Sequence, residues 1–218
     1  MTPHQSTSLI LLCTTSYDEL TCFLSKLLAS FSYAGKLVYH VRLASADESY
    51  QQVIAQYPGE PEKVVLIFCG HGEEDALLTS LKQDCNELHE EYEEEVFYNA
   101  THFDSGPDVL ATFCPKAGKD LGFEFADKTG GTYLGLCDEL WISFPSSEEC
   151  NAWWRKILYS FINRVIEDEN VDEQTIDFVR SVWMEAYDYY CSEKGKWTEE
   201  SIGMRLCLRR NLEALCRY

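Results

Sequence analysis

Two short segments of the 218-residue chain hold the residue types that acyl transfer needs: Cys69-Gly70-His71-Gly72 and Phe113-Cys114-Pro115. Each closes an apolar run, VVLIFC at 64–69 and DVLATF at 108–113, and His71 and Cys114 lie about forty residues apart. In an open α/β sheet, ligands bind outside the carboxyl ends of the strands. If the two runs are neighbouring parallel strands, His71 and Cys114 emerge on one edge. A thiolate there can attack a carbonyl carbon while the imidazole takes up the thiol proton and returns it to a leaving amine.

Among ten cysteines, Cys114 is singled out by the helix expected directly after it. The stretch 115–128 is predicted to be that helix, with Ala117, Leu121, Phe125 and Ala126 as its apolar stripe and Pro115 in its first turn, where a missing N–H costs nothing. A thiol at a helix N-terminus is expected to ionise well below the free value of about 8.5. Gly72 lets a main-chain N–H approach a bound carbonyl, and with the Cys114 N–H it would form an oxyanion hole. Taken singly, a cysteine at a strand end is a small buried hydrophobe and a histidine before glycine is a turn residue. Their pairing on two strand ends is what points to chemistry.

The elements that must position this pair are legible along the chain. Residues 8–13 read as a buried strand, 17–31 as an amphipathic helix, 36–41 as a second strand and 47–56 as a second helix. The run at 64–69 is uninterrupted and β-branched, a central strand buried on both faces. From 73 to 106 the pattern dissolves into an excursion with room for a small strand or hairpin, acidic at Glu87, Glu90, Glu91, Glu93, Glu94 and Glu95. Strands at 108–113 and 132–137 flank the helix after Cys114, which Gly130-Gly131 stops. The rest is helical, over 148–167, 172–191 and 198–217. The expectation is a single α/β domain over 1–218: a mostly parallel sheet flanked by helices within 1–145, and a helical C-terminal part over 146–218.

The composition is 45% hydrophobic and 25% charged, enough to bury one core and too charged for a membrane bundle. Eighteen Lys and Arg against 37 Asp and Glu give a formal charge of −19, which repels phosphate backbones and anionic headgroups and attracts a basic peptide or protein. The reading is therefore a protein or peptide partner of basic character, with no nucleic acid and no membrane. No Cys-x-x-Cys pair occurs. Met1 to Ser8 lacks Lys and Arg, and the apolar run after it is too short for a signal-peptide core, so the chain reads as cytoplasmic with mostly reduced thiols. The sequon Asn99-Ala100-Thr101 is then a chance match.

Two segments carry a resemblance: 64–72 (VVLIFCGHG) and 109–118 (VLATFCPKAG) resemble the paired His-Gly and Cys motifs of the caspase-like clan of cysteine peptidases. The segment 114–141 (CPKAGKDLGFEFADKTGGTYLGLCDELW) is most similar to the bacterial CHAT-like branch. The resemblance covers about half the chain, from the first strand through Trp141. It implies a caspase-like fold and a Cys114–His71 dyad hydrolysing peptide bonds, with no cofactor, no metal and no obligatory third member. It also implies a role in bacterial antiviral defence or regulated cell death, for example activation of a gasdermin-like pore former. Metacaspase-type members carry an acidic residue two positions before the nucleophile to bind a basic substrate side chain; here that position is Thr112. An acidic pocket would fall instead to Asp138 and Glu139, which are otherwise solvated loop charges, and Trp141 either walls the pocket or covers the core. In a silent variant, the same fold docks a basic protein without cleaving it.

Spacing disposes of several other chemistries. His71-Gly72-Glu73 lacks the downstream Pro-Cys-x-x-Cys of zinc deaminases. Asp120 stands where a Cys-x5-Arg phosphatase loop needs arginine, and also where a P-loop needs Ser or Thr. Cys69, His71, Cys85 and His89 would have to ligate zinc across the acidic excursion, which disfavours a rigid tetrahedral site. The acidic run itself reads first as a solvated loop.

Overall fold

Lys63–Cys69 forms the central strand β3 of the computed structural model, and Val65 through Cys69 are fully buried because helices or a hairpin cover both faces of the sheet. The structure describes residues 8–16, 18–29, 31–33, 36–43, 49–57, 61–83, 92–143, 147–192 and 198–218, with the backbone alone for 80–83 and 92–95. Beside β3 lie β1 (Ser8–Thr14) and β7 (Val109–Phe113), followed outward by β2 (Val38–Arg42) on one side and β8 (Thr132–Leu136) and β9 (Leu215–Arg217) on the other. All pairings are parallel except that of β8 with β9. The expected α/β architecture, a mostly parallel sheet flanked by helices with helices at the C-terminal end, is what the chain forms.

One face of the sheet packs against α1 (Glu19–Leu28), α4 (Glu148–Asp168), α5 (Glu173–Cys191) and α6 (Glu199–Ala214), around Trp154, Phe161 and Trp183. The opposite face is covered by α2 (Tyr50–Ala55), α3 (Phe123–Thr129) and the aromatic side chains of Phe97, Tyr98 and Phe125. Helix starts follow capping chemistry. Asp18, Ser49, Ser147, Asp172 and Thr198 each accept a hydrogen bond from a main-chain N–H of the first turn. The excursion is a small antiparallel sheet of β4 (His71–Gly72), β5 (Ala76–Gln83) and β6 (Tyr92–Asn99). The sequon residue Asn99 caps the 3-10 turn Ala100–Ser105. Cys85, Glu87, His89, Glu90 and Glu91 lie outside the described residues, as do the side chains of Glu93, Glu94 and Glu95.

Two expected helices differ. The last one stops at Ala214, and Leu215 is extended, so that 215–217 pair with β8 at Leu136↔Leu215, Gly135↔Cys216 and Leu134↔Arg217. The apolar spacing of 198–217 suits a helix, but an unpaired edge of β8 is available and main-chain pairing with it wins. The helix expected over 115–128 is broken into a turn at 114–117, a π-helical turn Gly118–Gly122 and α3. Lys116 takes a left-handed backbone, φ 58°, which a helix cannot contain. Gly118 meanwhile lies so close to the Leu136 main chain and the Cys216 sulfur that a β-carbon there would clash with both.

Candidate functional site

β3 and β7 are adjacent and parallel, with Cys69 opposite Phe113, so the residues after each emerge together at the carboxyl edge of the sheet. His71 and Gly72 turn off this edge into the two-residue β4, held by Leu77 and Leu78 of β5. Cys114 follows directly on β7. The two segments meet: a β-carbon built on Gly72 would lie 2.9 Å from Cys114 Sγ, 3.0 Å from the Pro115 carbonyl oxygen and 3.3 Å from Ala117 Cβ. Only glycine allows so close an approach, and it sets the main chain after His71 against the sulfur. Cys69, the other thiol of this edge, belongs to the opposite core layer, with α1 and α4.

A third chain segment completes the group. β1 ends beside β3, with the Thr15 N–H donating to the Cys69 carbonyl at 3.4 Å, and the buried Thr15 packs on Gly70. Three residues on, Asp18 caps α1, its Oδ1 accepting from the Thr21 N–H at 2.7 Å. Its other oxygen, Oδ2, is 3.7 Å from His71 Nε2, an ion pair when the imidazole is protonated. The His71 side chain is 28% exposed, while its Nδ1 is shielded from solvent. Asp18 was not among the residues expected at the site. Its cap position before an amphipathic helix, one loop after a buried strand, is the signal that could have placed it at the same sheet edge.

The electrostatics of Cys114 run opposite to the expectation. It does not sit at a helix N-terminus, since the π-helical turn starts only at Gly118, and it has no solvent exposure. Burial pushes its thiol up to about 12, and a hydrogen bond with the Thr112 hydroxyl pulls it only part of the way back. Thr112 itself shares a buried hydrogen bond of 2.6 Å with the Tyr133 hydroxyl. Beside its sulfur this chain thus has a closed hydroxyl pair. In this conformation the thiol is neutral and covered.

Asp138, Glu139 and Trp141 follow β8 in a loop that reaches the same edge. The Asp138 carbonyl accepts the Lys116 N–H at 2.9 Å, and its carboxylate accepts the Glu139 N–H at 2.8 Å. Glu139 pairs with Lys116 at 3.0 Å. Trp141 is half exposed, so it does not cover the core; the buried residue of this loop is Leu140. The buried Asn211 of α6 grips the Trp141 main chain twice, accepting from its N–H and donating to its carbonyl, both at 2.8 Å. Among the described residues, no three His, Cys, Asp or Glu gather to hold a metal ion, and no helix is long and apolar enough to cross a membrane. The nine described cysteines form no disulfide.

Neither a family model nor a curated protein matches this sequence.

Proposed function

We propose that this chain is a cysteine peptidase of caspase-like, CHAT-related type, in which Cys114 is the nucleophile and His71 the general acid and base. The Cys114 sulfur attacks the peptide carbonyl carbon, and His71 accepts the thiol proton. His71 then delivers that proton to the departing amine as the C–N bond breaks, and water hydrolyses the thioester. The main-chain N–H groups of Gly72 and Cys114 serve the tetrahedral oxyanion. Asp18 favours the imidazolium that forms in the middle of this sequence. The observation that carries the reading is the contact between Gly72 and the Cys114 sulfur, which seats the His-Gly segment and the thiol in one volume at the carboxyl edge of the sheet.

The substrate is a protein or peptide of basic character, drawn by the formal charge of −19, and a gasdermin-like pore former is the candidate the resemblance offers. Co-expression with such a partner is the test. A fragment that disappears in Cys114→Ala and persists in Cys69→Ala and Cys137→Ala supports the assignment, and cleavage retained in Cys114→Ala overturns it. A second reading, a silent docking module for a basic partner, is favoured by the complete burial of Cys114. Salt-sensitive binding without any cleavage would decide for it.

A further inference from the structure

Lys116 stands two residues after Cys114 and joins its own loop to those that follow β4 and β8. Its main-chain N–H reaches across to the Asp138 carbonyl at 2.9 Å. Its ammonium lies 3.0 Å from Glu139 Oε1, in the loop after β8, and 3.8 Å from Glu73 Oε2, the residue directly after His71-Gly72. The left-handed backbone of Lys116, φ 58°, turns the chain so that a single side chain spans both carboxylates. Neighbouring carboxylates, Glu139 foremost, also hold the ammonium protonated. One turn further on, Lys119 pairs with Glu74 at 2.5 Å, and the Glu74 carbonyl accepts from the Asp120 and Leu121 N–H groups, at 3.1 and 2.8 Å. These later contacts anchor the hairpin to the π-helical turn rather than to the segment that covers the thiol.

Gly72 packs on the Cys114 sulfur and lies as closely against Pro115 and Ala117, and each of the three is next in sequence to a member of the Lys116 clasp. A substrate carbonyl cannot reach a sulfur with no exposed surface unless these segments part. The side chains of Lys116, Glu73 and Glu139 are a third to a half exposed, and ion pairs so placed are weak and screened by salt. They suit a closure that opens easily better than a permanent staple.

We propose that the clasp of Lys116 with Glu73 and Glu139 is the gate of the Cys114 site: it holds the nucleophile covered, and access to the sulfur requires Lys116 to leave both carboxylates. The proposal rests on Cys114 being the reactive thiol of the peptidase reading, but its test does not need a substrate.

The experiment is alkylation by iodoacetamide followed by peptide mass spectrometry, with the exposed Cys191 as internal reference. Lys116→Met should raise the rate at Cys114 roughly five-fold or more and leave Cys191 unchanged, whereas Lys116→Arg should behave as wild type. Glu139→Gln, a change at an exposed side chain, should give part of the gain, and the double variant Lys116→Met with Glu139→Gln no more than Lys116→Met alone. Lys119→Met should have no effect. Raising salt from about 0.05 to about 0.5 M should speed Cys114 alkylation in wild type and not in Lys116→Met. An unchanged Cys114 rate in both Lys116→Met and Glu139→Gln, with thermal midpoints preserved, overturns the gate, as does an equal gain in Lys119→Met. If the gate opens yet no peptide is ever cut, the peptidase reading fails and the gate stands. If peptide is cut and the alkylation rates do not move, the gate fails and the peptidase reading stands.

Discussion

Gly72 and Cys114 touch so closely that the glycine's missing side chain is part of the site: a β-carbon would stand 2.9 Å from the sulfur, with the Pro115 carbonyl at 3.0 Å behind it. The carbonyl is main chain and cannot swing aside as the end of a long side chain could. Gly72→Ala is therefore expected to push β4 and the Cys114 loop apart, costing about 1–3 kcal/mol of stability and all peptide cleavage. Urea denaturation and a cleavage assay on the same preparation check both parts. Wild-type stability together with wild-type cleavage would show that the two segments are not packed as described.

Asp18 has two oxygens with separate duties, Oδ1 on the Thr21 N–H and Oδ2 toward His71. Asn and Asp are equivalent N-caps, so Asp18→Asn should keep stability to within about 0.3 kcal/mol, while Asp18→Ala should lose about 1 kcal/mol. Both should slow cleavage, by roughly ten-fold or more, because neither leaves a carboxylate to favour the imidazolium. The comparison of kcat with thermal midpoint separates the two duties: a rate loss in Asp18→Asn without a stability loss belongs to the pairing with His71.

Burial raises the Cys114 thiol from 9.0 to about 12 in the folded chain. The folded state keeps this proton at pH values where the unfolded chain has released it, so the unfolded state binds fewer protons and stability falls as pH rises. The loss starts near the unfolded value and runs to the folded one, from about 9 to about 12, at about 1.4 kcal/mol per pH unit from this group. Urea midpoints measured across that range should fall more steeply in wild type than in Cys114→Ala. Parallel curves would mean that the thiol is not buried.

Asn211 is fully buried on α6 and satisfies both polar groups of the Trp141 main chain. Asn211→Ala leaves an N–H and a carbonyl without partners and should cost about 2–3 kcal/mol; Asn211→Asp can still accept but not donate, and should also destabilise. Because this clamp fixes the loop carrying Asp138 and Glu139, the same variants should quicken Cys114 alkylation, read against Cys191. A stability loss with no change at Cys114 would uncouple α6 from the site.

Much of this arrangement is written in consecutive residues. The run Val64 to Cys69 had to be a buried strand, 108–113 had to be another, and their parallel pairing brings His71 and Cys114 to one edge. Apolar runs, helical periodicity and cap residues are local properties, and burial on both faces of a central sheet merely ratifies them. Asp18 beside His71 was hidden because it depends on β1 lying next to β3, a sheet order that periodicity does not encode. The strand Leu215–Arg217 was hidden for a related reason: helix and edge strand are both open to such a sequence, and the free edge of β8 decides.

The residue types and spacing by themselves determined that a thiol and an imidazole reach the same sheet edge, because the strands that deliver them are specified locally. Only the tertiary structure decided that the thiol is covered and neutral. A thiol's ionisation depends on everything packed around it, here Gly72, Thr112 and the Tyr133 hydroxyl hydrogen-bonded to Thr112. The left-handed turn at Lys116 replaced the helix start that would have favoured a thiolate. Charge in a protein interior is set by surroundings drawn from distant parts of the chain, and those are known only once the chain is folded.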